Sequence, residues 1–202
     1  MFVKKLKKLA VAAGLIVSMS AFALTNQSNA ATTTHKVQRG ETYWKIANKL
    51  GVPVTSLMQA NHTTNSKLYA GQNIVIPNST VSAADKELMA RLVHAEAGGE
   101  PYAGKVAVAT VILNRLKSPN FPNTIKGVVY QVESGHYAFT PVQDGRIKLP
   151  ADADSRRAVN EAIAYSGKGQ GSLYFYNPKT AKSKWIFSRH VTVTIGHHRF
   201  AK

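Results

Sequence analysis

A nearly all-apolar helix is predicted at residues 102–116, YAGKVAVATVILNRL, and it limits how the rest of the chain can fold. A helix with apolar side chains on every side has to be covered by other elements, so it belongs at the centre of a core. Another helical pattern, residues 85–97, precedes it and is separated from it by Gly98 and Gly99. Later segments, SLYFYNP, SKWIFS and HVTVTIGHHRF, are rich in β-branched and aromatic residues and predict a small antiparallel sheet. Residues 85–202 are thus expected to form an α+β domain with helices first and strands last.

Two glutamates lie on either side of the glycine pair, in a chain with only 10 acidic residues. The first, Glu96, falls four residues after Leu92, on the apolar stripe that Leu88 and Ala95 also share. Burial and the C-terminal end of a helix both disfavour negative charge, so the pKa of Glu96 is expected to be raised. A carboxylic acid that stays protonated near neutral pH can act as a general acid. A glutamate that simply reaches solvent beyond the helix end fits the pattern equally well.

The second glutamate, Glu100, precedes Pro101, a favoured first residue of a helix. This spacing places Glu100 at the N-cap of the following helix, where negative charge is stabilised and the pKa should fall. Glu100 would then be a structural or polarising anion, or a helix cap and nothing more. The surroundings of the two carboxylates are therefore predicted to drive their pKa values apart.

The first 30 residues have the features of a signal peptide: a lysine-rich start, an apolar run from Leu9 to Leu24, and a polar stretch that ends at Ala30. The apolar run of about 16 residues is short of the roughly 20 that span a bilayer. We expect cleavage after Ala30, with Ala23 as a second choice, rather than an uncleaved anchor. The mature protein would then have no stable membrane insertion.

Cleavage would leave 22 basic and 10 acidic residues, a net charge of +12, in an exported chain without cysteine. Such a charge attracts polyanions. Outside the cell these are anionic wall polymers rather than nucleic acid. The lack of cysteine excludes thiolate metal sites and cysteine nucleophiles.

Residues 35–77 are predicted to form a miniature βααβ domain, with Thr42 as the N-cap of its first helix and Gly51 as its end. Residues 78–84, NSTVSAA, are predicted to be a flexible linker. The 35–77 segment resembles the LysM domain, whose pattern it matches in order and spacing at Val37, Gly40, Glu41, Thr42, Ile46, Ala47, Leu57, Asn61, Leu68, Gly71, Gln72, Ile76 and Pro77. The resemblance implies binding of N-acetylglucosamine-containing glycans such as peptidoglycan.

Two features of this segment depart from the LysM pattern. Glu41 stands where Asp is more common, and the pair Tyr43 and Trp44 is bulkier than usual. These aromatic rings could stack on sugar or fill a small core, since both are normal uses of aromatic side chains.

Nearly all of residues 85–202 is similar to the catalytic domain of the spore cortex-lytic cell wall hydrolases of the SleB/CwlJ type. The similarity is carried by residues 90–131 and by AFTPVQDG, YFYNP and KWIF. It implies a lysozyme- or transglycosylase-like helical fold with a small antiparallel sheet, and no cofactor. It also implies that Glu96, the first Glu of a Glu-Ala-x-Gly-Glu-Pro motif, is catalytic. Gly98 stands where that motif often has Arg, which removes a possible charge partner.

The same similarity implies substrate contacts in the motifs that follow Glu96. Aromatic rings would offer flat faces to sugars, and polar side chains would bind acetamido groups. Core packing or turn formation is an equal alternative for each of these residues. The candidates are Glu100, Phe139, Thr140, Tyr176, Asn177 and Trp185.

A lytic transglycosylase needs a single carboxyl group. Glu96 would protonate the oxygen between N-acetylmuramic acid and N-acetylglucosamine and then accept the C6 hydroxyl proton of the muramic acid, which closes as a 1,6-anhydro sugar. A hydrolytic muramidase would use two carboxylates. Asp144, Glu133 and Glu100 are the candidates for the second.

Two other functional classes can be considered. His94-Ala-Glu96 resembles an H-x-E metal motif, but residues i and i+2 of a helix face apart, and His197 and His198 point to opposite faces of a predicted strand. No metal site is therefore predicted, and His94 is expected beside the site, where it could tune Glu96. A non-catalytic wall-binding protein is the third hypothesis, which the intact surroundings of Glu96 argue against. The protein is expected to be secreted and bound to the cell wall or spore, with cortex and vegetative wall both open as substrates.

Overall fold

The N-terminal unit is a two-stranded antiparallel sheet with two helices between its strands. The computed structural model describes residues 33–166 and 171–202, so the predicted signal peptide at residues 1–30 lies outside the described residues. The strands pair with His35 opposite Ile74. The order is the predicted βααβ, formed by β1 (Thr33–Lys36), α1 (Tyr43–Leu50), α2 (Val54–Ala60) and β2 (Asn73–Ile76).

Side-chain caps and one amide fix the ends of these helices. Thr42 accepts a hydrogen bond from the Lys45 N–H at the start of α1, and Gly51 ends the helix in the left-handed region at φ 61°, as predicted. The Asn61 side chain donates to the carbonyls of Leu57 and Val75, both at 2.8 Å, and so ties the end of α2 to β2. The family-like Asn at this position is therefore a structural bridge.

The bulky pair at the start of α1 divides between core and surface. Tyr43 is 3% exposed and belongs to the core of the N-terminal unit, whereas Trp44 is 37% exposed. Glu41, the other departure from the family pattern, accepts a 2.8 Å hydrogen bond from the Gln38 N–H and lies 2.6 Å from His35 Nε2. Glu41 thereby closes the turn between β1 and α1.

The segment predicted as a flexible linker makes several contacts in the structure. Ser79 Oγ donates to the Gly51 carbonyl at 3.0 Å, and Val81 is buried in the larger core. Ser82 caps the next helix by accepting from the Asp85 N–H. That helix begins at Ala83, two residues earlier than the pattern predicted.

The larger part of the chain is built around the apolar helix. This helix, α4, packs against α3, α5 and α7 and also contacts β5, in agreement with its predicted central place. Its buried side chains include Val108, Ile112 and Leu113. The elements are α3 (Ala83–Ala97), α4 (Tyr102–Lys117), α5 (Ile125–Val129), β3 (Val132–Glu133), β4 (His136–Tyr137), α6 (Thr140–Gln143), a 3₁₀ turn (Arg146–Lys148), α7 (Ala153–Ala164), β5 (Tyr174–Tyr176), α8 (Lys184–Phe187), β6 (Val191–Ile195) and β7 (His198–Ala201).

The C-terminal sheet is antiparallel, with strand order β5-β7-β6. SKWIF was predicted as a strand but forms the short helix α8, which is a correction. The other two strands of the sheet come from HVTVTIGHHRF, which folds back on itself as β6 and β7, with Gly196 at φ 57° in the turn. Within the described residues, no helix has both the length and the apolar character to cross a bilayer.

Candidate active site

Glu96 lies in the last turn of α3, beside the part of that helix that enters the core. Its neighbours Leu92, Val93 and Ala97 are fully buried, whereas Glu96 itself is half-buried. Ala95, which belongs to the predicted apolar stripe, is half-buried as well. Residues three and four apart share a helical face, so Leu92 and Val93 are the buried neighbours of Glu96.

The surroundings of Glu96 favour its protonated form. Burial raises the pKa of Glu96 to about 7, and the negative charge of Asp144 acts in the same direction. The positive charges of Arg146 and Arg115 oppose this rise. A carboxyl group with this pKa is partly protonated at neutral pH and can give up its proton and take it back, which is the property that sequence reasoning had predicted.

The loop after α6 brings a charged pair to the end of α3. Arg146 Nε lies 2.9 Å from Asp144 Oδ2, and Arg146 Nη1 donates to the Ala95 carbonyl at 2.7 Å. The last carbonyls of a helix lack partners within the helix, so this guanidinium satisfies one of them. Although Gly98 stands where the motif often has Arg, a guanidinium from a distant part of the chain acts on Glu96.

Arg115 is a residue that sequence reasoning missed. It lies near the end of α4, is 7% exposed, and donates from Nε to the Leu173 carbonyl at 2.8 Å. Its guanidinium carbon lies 5.0, 4.9 and 5.6 Å from the ring centroids of Phe121, Phe139 and Tyr174. A charged residue near the end of a largely apolar helix was the signal in the sequence that could have marked it, although Lys105 and Lys117 of the same helix are charged too.

Burial lowers the pKa of the Arg115 guanidinium to about 10, which still leaves it charged at neutral pH. Its buried Nη1 has no hydrogen-bond partner among the described residues. Tyr174, Glu133 and Glu96 all act electrostatically on this group. Arg115 lines the cleft described next, whereas Glu96 is not among the residues that line it; the two groups interact electrostatically.

A cleft of about 640 Å³ opens over Arg115. This volume lies within the range of roughly 300–1,000 Å³ that is usual for ligand sites. Its wall combines aromatic rings with amide, hydroxyl and charged groups. The lining residues are Arg115, Phe121, Gln131, Glu133, Ala138, Tyr174, Phe175, Ala181, Lys182, Ser183, Trp185 and Ile186.

Of the predicted substrate contacts, Trp185 lines this cleft, Phe139 contacts its residue Arg115, and Thr140 does not line it. Trp185 is half-exposed and meets the Tyr174 ring edge-on at 5.0 Å. Phe139 is 2% exposed and packs under Arg115, so its ring supports the cleft floor rather than its surface. Thr140 is exposed at the first position of α6.

Tyr176 and Asn177 make internal contacts. Tyr176 is buried with Ile186, and its ring meets Phe187 edge-on at 5.3 Å. The Asn177 side chain accepts from the Lys179 N–H at 2.9 Å and so closes a turn. Both residues therefore support the part of the cleft wall that contains α8. Packing and turn formation were one of the two alternatives that the sequence left open for them.

The predicted N-cap role of Glu100 was wrong. Pro101 is the N-cap residue of α4, and Glu100 lies one residue earlier. Its carboxylate accepts a 2.9 Å hydrogen bond from the His197 N–H and lies 3.0 Å from His197 Nδ1. Burial alone would raise the pKa of Glu100, but the pKa is lowered, as expected, because the hydrogen bonds from His197 and the charges of His198 and His197 together outweigh burial. Glu100 thus ties the β6–β7 turn to the start of α4.

His94 faces away from the predicted site. Its Nδ1 lies 3.2 Å from Asp152 Oδ2, which also receives a 2.9 Å hydrogen bond from the buried Lys105 Nζ. Hydrogen bonds from Ser155 and Lys105 hold the pKa of Asp152 well below its usual range, against the effect of burial. In the described residues, no three His, Asp or Glu side chains are grouped so that they could hold a metal ion.

Of the three candidates for a second carboxylate, only Asp144 is seen to act on Glu96 among the described residues. Asp144 acts electrostatically on Glu96, and its own pKa is lowered by the Arg146 backbone and side chain. Glu133 lines the cleft. Glu100 is engaged by His197, with 10% of its side chain exposed.

Two family models match the chain. One, described as Cell Wall Hydrolase, matches residues 99–201, and the other, described as LysM domain, matches residues 35–77. The first match begins three residues after Glu96.

Curated relatives and solved structures agree with these matches. A spore cortex-lytic enzyme of Bacillus cereus is 37% identical over 193 residues, which cover 80% of this chain and 73% of that protein. A spore cortex-lytic enzyme of Halalkalibacterium halodurans is 48% identical over 116 residues, 57% of this chain but only 34% of that protein. The catalytic domain of the germination-specific lytic transglycosylase SleB from Bacillus anthracis is 45% identical with a TM-score of 0.55. The alignment covers 63% of this chain and all of that one.

Proposed function

Because the chain belongs to the cell wall hydrolase family, we propose that it cuts peptidoglycan glycan strands between N-acetylmuramic acid and N-acetylglucosamine as a lytic transglycosylase. The observation that carries this proposal is Glu96, a half-buried carboxyl group at a helix end with its pKa raised to about 7. Such a group can donate a proton at neutral pH and later accept one. The description of the Bacillus anthracis neighbour as a lytic transglycosylase supports the same reaction.

In the proposed reaction, one carboxyl group acts twice. Glu96 gives its proton to the glycosidic oxygen as the bond from that oxygen to C1 of the muramic acid breaks. The Glu96 carboxylate then takes the proton of the C6 hydroxyl while O6 bonds to C1. Glu96 ends in its protonated state, the product carries a 1,6-anhydro ring, and no water is consumed.

The charges around Glu96 suit both halves of this cycle. Asp144 and burial favour the acid form that is needed first, and Arg146 and Arg115 stabilise the carboxylate that forms next. The opposing charges keep the pKa near the middle of the physiological range, where a group that must be both acid and base is most effective.

The cleft over Arg115 is the proposed seat of the glycan strand. Trp185 and Tyr174 offer partly exposed rings, and Gln131 and Ser183 offer polar groups beside them. In this proposal Phe139, Tyr176 and Asn177 support the walls of the cleft, and Glu100 holds the β6–β7 turn against the start of α4.

The N-terminal unit is proposed to bind the N-acetylglucosamine-containing glycan of the same wall. Export through a signal peptide at residues 1–30 would deliver a mature chain with a net charge of +12 to the wall or spore. That charge favours retention by anionic wall polymers. Spore cortex and vegetative wall are both candidate substrates.

Mass analysis of fragments released from purified peptidoglycan tests the reaction. The wild-type protein should release anhydro-muropeptides, and Glu96→Gln should release none. Glu133→Gln, which removes a carboxylate from the cleft wall, is the matched control and should keep the anhydro products. Reducing muramic ends would instead indicate hydrolysis with Asp144 or Glu133 as the second carboxylate. No release by the wild-type protein from either cortex or vegetative wall would refute the proposal.

A further inference from the structure

The N-terminal unit and α7 share a buried seam. Ala164, at the end of α7, is 3% exposed and lies in the same buried cluster as Tyr43 and Ile46 of α1. Gly51, which ends α1, has no room for a side chain, because a Cβ there would lie 2.5 Å from Asn160 Oδ1 of α7. Close packing of this kind fixes α1 against α7.

Two aromatic rings meet at the edge of this seam and remain partly in solvent. The ring centroids of Trp44, from α1, and Tyr165, directly after α7, lie 6.1 Å apart with an angle of 60° between the planes. Trp44 is 37% exposed and Tyr165 is 42% exposed. Two partly exposed aromatic rings side by side present apolar faces that a ligand could cover.

A concavity of about 420 Å³ lies beside the two rings. Its wall comes from both sides of the seam, and hydroxyl groups of Thr42 and Ser66 interrupt its apolar surface. All of the lining residues are uncharged: Thr42, Tyr43, Trp44, Val54, Met58, Ser66, Ala164 and Tyr165.

The uncharged lining of the concavity indicates which component of the bacterial cell wall could bind there. A polyanion would require cations, and none is among the described residues that line the concavity. The ring of N-acetylglucosamine is neutral, with apolar C–H faces that fit aromatic rings and polar edges that fit hydroxyl groups. The concavity is also continuous with the unit that the LysM family model matches.

We propose that Trp44 and Tyr165 together form a subsite for neutral, N-acetylglucosamine-containing glycan that requires both the N-terminal unit and α7. What is new is the part played by Tyr165, which lies outside residues 35–77. The inference rests on the glycan substrate proposed above, but not on cleavage by Glu96. A glycan strand bound here would contact the N-terminal unit and the end of α7 at the same time.

Calorimetric titration of the mature chain with a chitin hexasaccharide tests the subsite. This ligand contains no muramic acid, so it is not a substrate of the proposed cleavage. Tyr165→Ala should weaken binding about two- to tenfold, the value of one aromatic contact. Tyr165→Phe keeps the ring and should bind nearly as well as the wild type, and Trp44→Ala should lose binding at least as strongly as Tyr165→Ala.

The control is Tyr130→Ala, which removes a ring that is 40% exposed and does not line the concavity, so it should leave the affinity unchanged. Thermal unfolding midpoints of all variants check that each is folded. Wild-type affinity in Tyr165→Ala, with binding lost in Trp44→Ala, would show that the N-terminal unit binds alone and would overturn the proposal. A wild-type chain that does not bind the hexasaccharide would overturn it too, whatever the muropeptide assay shows about cleavage.

Discussion

Replacing Glu96 by glutamine should stabilise the folded protein at alkaline pH, although it should abolish glycan cleavage. The pKa of this group is 4.5 in an unfolded chain and about 7 in the folded one. The folded state therefore holds the proton more tightly. The stability that this group contributes is complete below pH 4.5 and is lost as the pH rises to about 7.

The size of this loss follows from the two pKa values. A difference of about 2.5 pH units corresponds to about 3 kcal/mol, since each unit is worth about 1.36 kcal/mol. Glutamine stays neutral at every pH and has nearly the shape of the protonated acid. Glu96→Gln should therefore match the wild type near the acid end and exceed it by up to about 3 kcal/mol above about pH 8.

Urea unfolding followed by tryptophan fluorescence, repeated from about pH 4 to about pH 8, measures the difference. Glu100→Gln is the matched control, because the pKa of Glu100 is lowered and its contribution has the opposite sign. That contribution is present above the unfolded pKa and lost as the pH falls, so Glu100→Gln should be less stable than the wild type at alkaline pH. A constant difference between Glu96→Gln and the wild type at every pH would mean that the fold does not raise the pKa of Glu96, and the general-acid argument would fail.

Substitutions of the charges near Glu96 and of the turn that contacts Glu100 should also have measurable effects. Asp144→Asn removes a negative charge that raises the pKa of Glu96, so the alkaline limb of the pH–activity profile should move to lower pH, and Arg146→Gln should move it higher. Initial rates of muropeptide release against pH would show both shifts, and movement in the same direction would contradict them. Gly196→Ala should cost about 1–3 kcal/mol of stability, because its φ is 57° and a Cβ would collide with the carboxylate that this turn holds. Gly99→Ala, where nothing lies within 4 Å, is the control, and equal unfolding free energies for the two variants would refute the clash.

Features that depend on neighbouring residues were predictable from the sequence. The caps of α1, Thr42 and Gly51, follow from preferences that act within a few residues. The central place of α4 follows from its apolar surface, and the raised pKa of Glu96 follows from its place near the buried end of α3. In each case the physical cause lies within one helix.

Features that depend on distant residues were not predictable. The partner of Glu100 is His197, 97 positions away, so a capping role appeared more natural than the contact that forms. Arg115 gains its place in the site only because Phe121, Phe139 and Tyr174 converge on it in the folded chain. Composition and periodicity do not indicate which residues distant in the sequence come into contact.

The packing of α1 against α7 makes it costly to delete the N-terminal segment or the part of the chain that contains α7. A chain without residues 35–77 would leave Ala164 and Asn160 of α7 exposed to solvent. A chain that ended at residue 77 would lack α7, so the buried cluster around Tyr43 would be exposed instead. Either deletion creates exposed apolar surface that further substitutions would have to replace with polar groups. The two units are thus expected to unfold in one cooperative transition.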